Sequence, residues 1–100
     1  MFADFRIEVF QNRVGDVFRL AVPDGPELEL RLSAVTALST ASTPPEGFRP
    51  PFSILFHGPT TPWVKQATHR LEHRELGLMD LFLVPIGFDA VGMRYEAVFT

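Results

Sequence analysis

Apolar and polar residues alternate one for one along most of this chain, which is the period of a half-buried β-strand and not of a helix. Leu28, Leu30 and Leu32 alternate with Glu27, Glu29, Arg31 and Ser33, so residues 27–35 are predicted to form an antiparallel strand with one wet and one dry face. Phe18, Leu20 and Val22 mark a strand over 17–22. It is joined to the next by Pro23-Asp24-Gly25-Pro26, where proline presets φ and Asp-Gly supplies the bend. A third short strand covers 52–57, ended by Gly58-Pro59. In 66–73, His69, Leu71 and His73 share one face and Arg70 and Glu72 the other, and Arg74-Glu75-Leu76-Gly77 closes a hairpin. Residues 78–86 are apolar on both faces apart from Asp80. That pattern predicts a strand buried on both sides, the centre of a sheet. Pro85 would lack a ladder donor there, so a bulge or strand exit is expected at that point. Met93, Tyr95, Ala97 and Phe99 form the apolar face of a last strand.

Two segments break the alternation. Phe5, Ile7 and Val9 alternate as in a strand, yet Phe2, Phe5, Val9 and Phe10 also match helical spacing, and Gly15 follows as a helix-ending residue would. A short helix over about 7–13 is expected, plugging one end of the sheet structure. Residues 36–51 are small and polar, with Pro44, Pro45, Gly47, Pro50 and Pro51, which excludes regular structure. This loop reads as a surface crossover, with a ligand-covering lid or a partner-docking arm as alternatives. Six strands with short Gly/Pro connections predict an all-β, mainly antiparallel domain spanning residues 1–100, a small barrel or sandwich. Barrel comes first because closure removes exposed edges.

Composition narrows the function classes. One hundred residues, 46% apolar and with ten phenylalanines, can bury a core without staples. The chain has no cysteine, so disulfides and thiolate metal sites are unavailable. The net charge is −3 and the basic residues are scattered, which argues against a nucleic-acid partner. Asp4 and Glu8 interrupt what a signal peptide would keep apolar, and no run reaches the roughly 18 apolar residues of a membrane span. A soluble, cytoplasmic domain with no membrane partner is expected.

Candidate chemistry is sparse. His69 and His73 could share a zinc ion on a helix, but four strand steps of ~3.3 Å separate them by ~13 Å, too far for one ion. The expectation is no metal and no cofactor. Asp80, the one charge in an apolar strand, is expected to face water or to pair with Arg70, Arg74 or Arg94 on a neighbouring strand. Ser53 has no nucleophile elbow around it, and the glycines stand singly, without a phosphate loop. Trp63, in the Pro-rich turn 59–63, is the best interaction anchor, or else a lid over one end of the core.

The sequence also resembles a family of small bacterial proteins classed only as a domain of unknown function. The residues that carry the likeness are Val14-Gly15 with Phe18, Leu28-Glu29-Leu30, the stretch from Pro51 to Pro59 (PFSILFHGP), LEHRELG at 71–77, LFLVP at 81–85 and MRYEAVF at 93–99. The resemblance implies a compact domain with no established activity, associated with phage-tail-like assemblies and without residue-level roles. The leading expectation is therefore a non-enzymatic structural or protein-interaction module, with a protein partner that could be a second copy of the chain. Phe48, Trp63 and Tyr95 are its candidate contact residues. The alternatives are a small-ligand-binding barrel, with the same three residues at its mouth, and an enzyme using His57, His69 or His73 with Asp80.

Overall fold

The computed structural model describes residues 5–23, 25–38 and 50–100. One short helix, α1 (Ile7–Gln11), precedes six strands: β1 (Val17–Leu20), β2 (Leu28–Ala37), β3 (Phe52–Gly58), β4 (Ala67–His73), β5 (Gly77–Phe88) and β6 (Met93–Phe99). They close into a barrel in the order β1-β2-β3-β6-β5-β4, with every neighbouring pair antiparallel. The all-β expectation with an N-terminal helix holds, as a barrel and not a sandwich. Among the described residues no helix is long and apolar enough to cross a membrane.

Alternation decides what lies inside. Leu28, Leu30 and Leu32 of β2 point inward, as do Phe52, Ile54 and Phe56 of β3 and Tyr95 and Ala97 of β6. In β2 the register passes from Leu32↔Phe56 to Ala34↔Leu55, so Ser33 is an extra residue in a bulge. The bulge reverses the phase of the strand: beyond it Val35, not Ala34, packs against the core.

Both ends of the barrel are closed. Five residues are too few for a self-sustaining helix, and α1 is held by Phe10, which is fully buried. The ring of Phe10 lies 5.6 Å from that of Phe99 and 6.1 Å from that of Phe52, with Phe5 edge-on at 5.5 Å. At the opposite end the segment between β3 and β4 folds over the opening. There the Val64 N–H donates to the Tyr95 hydroxyl at 2.9 Å, and Val64 packs on the core. Tyr95 is fully buried, and burial pushes its phenol pKa upward. Fully buried, it offers no exposed surface for contact, and its hydroxyl meets the segment that covers this end of the barrel. Its place in the Met93-Tyr95-Ala97-Phe99 face puts it inside with the rest of that set.

The structure also corrects the expectation for residues 78–86. A closed barrel has no central strand, and each strand has a single dry face. Met79, Leu81 and Leu83 fill the interior, whereas Leu78, Phe82 and Ile86 are 55%, 52% and 39% exposed on the outside. The bulge anticipated near Pro85 is present: the β5–β6 register shifts between Pro85 and Gly87.

Candidate functional site

His57 is the penultimate residue of β3 and its side chain faces outward, half-buried between Arg31 of β2 and Arg94 of β6 in the ladder register. The β2 bulge carries Ser33 to it, and the Ser33 hydroxyl is hydrogen-bonded to His57 Nδ1. On the other side of the ring, Nε2 lies 2.7 Å from Oδ2 of Asp89, in the turn between β5 and β6. That turn is built by Asp89 itself. Its Oδ1 accepts the N–H groups of Val91 (2.8 Å) and Gly92 (3.1 Å), and its own N–H donates to the Gly92 carbonyl at 2.9 Å. Three elements thus meet at one imidazole.

The hydrogen bonds place one ring proton. The His57 bond first, and then the Val91 N–H, hold the Asp89 carboxyl down to about 2. An ionised carboxylate only accepts, so His57 Nε2 carries a proton; in the neutral ring Nδ1 is then the acceptor for the Ser33 O–H, which also faces the Arg31 carbonyl at 3.3 Å. A groove of about 460 Å³ opens beside this row, walled by Val17, Glu29, Arg31, Pro59 and Val91. A hydroxyl donating to a bare imidazole nitrogen, with a carboxylate behind the ring, is the arrangement by which a serine is activated.

A depressed carboxyl pKa contributes stability above the ordinary aspartate value of ~4, and that contribution is lost as pH falls through the folded value of about 2. Wild type should therefore melt above Asp89→Asn at pH 6, and the gap should close between pH ~4 and ~2. Thermal melts across that range check it; a gap indifferent to pH would mean that the ionised carboxylate does not hold the turn.

The other titratable groups have different roles. His73 is buried against the Phe18 ring, 4.6 Å away, with Nε2 at 2.8 Å from Asp16 Oδ2 and Nδ1 accepting the N–H groups of Glu75 and Leu76. Asp16, His73 and Glu75 bring their ligand atoms within 4.8 Å of one another. They nevertheless do not suit a cation. A metal on Nε2 would need the tautomer with Nδ1–H, which points into two backbone donors. His69 shares the inward-leaning face of β4 and its Nε2 bonds the Lys65 carbonyl at 2.9 Å. Asp80 pairs with Arg70 directly across the β4–β5 ladder, at 3.0 and 3.2 Å, and the Arg70 hydrogen bond lowers its pKa. The cross-strand pairing expected for Asp80 is present, so Asp80 serves none of the histidines as partner.

Of the expected contact residues, Trp63 is half-exposed and meets the half-exposed Phe88 edge-on at 6.3 Å. Phe48 lies outside the described residues. Ser33 and Asp89 were missed by the sequence reading, because nothing in a linear spacing of 24 and 32 residues from His57 links them to it. The one local signal was an Asp three residues before a Gly in a turn, which marks a side chain folded onto its own backbone. A family model matches residues 5–99, whereas no curated protein and no solved structure matches this chain.

Proposed function

Because the chain belongs to the family described as Domain of unknown function (DUF6916), which carries no assigned activity, its role has to be argued from its surface, and we propose that it is a protein-interaction module. The outward face of β5 supports this reading. Leu78, Phe82, Ile86 and Phe88 are all exposed there, with Val98 of β6 and Trp63 also exposed. The barrel interior is meanwhile filled by its own side chains, where a ligand-binding barrel would keep a cavity. Exposed apolar side chains gathered on one strand in this way favour an interface over a solvated wall.

The occupant we assign to this face is the same face of a second copy. Thr68↔Phe82 and Arg70↔Asp80 are alternate rungs of the β4–β5 ladder, next to each other on its outer face, so a cation and an anion stand together beside Phe82. Two copies related by a two-fold axis can set Arg70 against the opposite Asp80 while Phe82 is covered. Such self-complementary contacts are the commonest route to a dimer.

Sedimentation velocity over a roughly hundredfold concentration range tests the assignment, since a self-association shifts with protomer concentration. Wild type should move from monomer to dimer. Phe82→Ser with Ile86→Ser should remain monomeric and still melt cooperatively. A wild type that stays monomeric throughout would end the self-association reading.

A further inference from the structure

The geometry points to a reactivity at the second surface feature, independent of the apolar face: Ser33 is a nucleophile that accepts short acyl groups from esters, with His57 as its general base and Asp89 as the residue that positions His57. Four observations converge on it. The hydroxyl of Ser33 sits on a bulge, the device by which a strand re-aims one side chain, and it is bonded to His57 Nδ1, while its second contact, the Arg31 carbonyl, is at 3.3 Å. Asp89 binds Nε2 at 2.7 Å, so that in the neutral ring Nδ1 is the free base. The row opens onto a groove whose apolar walls, Val17, Pro59 and Val91, suit a short acyl chain. Arg31 supplies the cation on that wall: one nitrogen, Nη1, bonds the Gly15 carbonyl at 2.6 Å, and the guanidinium has further N–H groups for an acyl oxygen.

The step balances without any further reagent. Ser33 Oγ attacks the ester carbonyl carbon as its proton passes to His57 Nδ1. The C–O bond to the leaving group then breaks, and the departing alkoxide takes the proton from Nδ1. Water repeats the sequence on the acyl-serine, releasing the acid and restoring the hydroxyl. Asp89 stays ionised throughout and faces the Nε2–H.

The probe is p-nitrophenyl acetate with the full chain, read as p-nitrophenolate release and as an acetyl adduct mapped by mass spectrometry. The adduct should fall on Ser33, be absent in Ser33→Ala, and form ~10²-fold more slowly in His57→Gln. Asp89→Asn separates positioning from folding. The asparagine oxygen can still accept the Val91 and Gly92 N–H groups, but its NH2 now faces Nε2 and favours the ring proton on Nδ1. Imidazole ¹⁵N shifts should report that change of tautomer, with a similar ~10²-fold loss of rate, in a protein that still melts cooperatively. An adduct elsewhere only, or acylation of Ser33 at a rate unchanged in His57→Gln and Asp89→Asn, would overturn the assignment and leave the three residues as a clamp between strands.

Discussion

Gly92→Ala is expected to prevent the β5–β6 turn from docking on β3 and to destabilise the whole barrel by ~3 kcal/mol, the upper part of the range for forced overpacking. A Cβ on Gly92 would be placed within the van der Waals shell of the Gly58 carbonyl oxygen. The obstacle is backbone and not the tip of a flexible side chain, so no rotamer relieves it. Gly58 illustrates the contrast. A Cβ there would meet first the terminal Leu30 Cδ2 at 2.6 Å and then Tyr95 Cε2 at 3.2 Å, side-chain atoms and not backbone. Gly92 also exchanges hydrogen bonds with Asp89, so displacing it should release His57 Nε2 as well. Denaturant unfolding measures the first effect, and the ¹⁵N shifts of His57 the second. A variant that melts like wild type would mean that β3 and the turn are not in contact.

Phe10→Ala should be at least as damaging, ~3–5 kcal/mol, as for other large aromatic side chains removed from a core. Phe10 is the buried residue of a five-residue helix, and its ring touches the stacked pair Phe52 and Phe99, whose centroids are 4.6 Å apart. Without that ring the helix has too few internal hydrogen bonds to persist, and the Phe-lined end of the barrel opens to water. Chemical unfolding monitored by circular dichroism checks the magnitude. A loss below ~0.5 kcal/mol, the range of surface changes, would place α1 off the barrel.

Most of the barrel could be read directly from period-two alternation, because a closed sheet gives each strand one dry face and one wet one. Leu28-Leu30-Leu32 and Met93-Tyr95-Ala97-Phe99 announced their inward faces in this way, and Pro85 announced the bulge in β5. β5 misled for the same physical reason. With Leu78, Phe82 and Ile86 apolar on the outside as well, its pattern is that of a strand covered twice. Asp80 was the contrary signal, since its pairing with Arg70 lies on the outer face. Tyr95 was legible in the same way as a core residue, since the alternation groups it with Met93, Ala97 and Phe99. The Ser33–His57–Asp89 row could not be read at all. It exists only because a one-residue bulge, a ladder register and a turn place three distant side chains together, and none of those distances is a property of the linear chain.

The Ser33 bulge has a consequence for how this surface can change over generations. The extra residue is a phase switch: before it the even-numbered residues of β2 face the core, and after it Val35 does. Deleting Ser33 would therefore leave Leu32, Ala34 and Val35 in plain alternation, still in register with Phe56, Leu55 and Ile54 of β3. Substituting it keeps the bulge and changes only the side chain. The hydroxyl can thus be lost through a point change or through a one-residue deletion that straightens the strand, so the barrel does not depend on this position while the contact to His57 does. Homologous chains should accordingly divide into those that keep the extra residue and those with a regular β2, and only the former can retain the imidazole's partner.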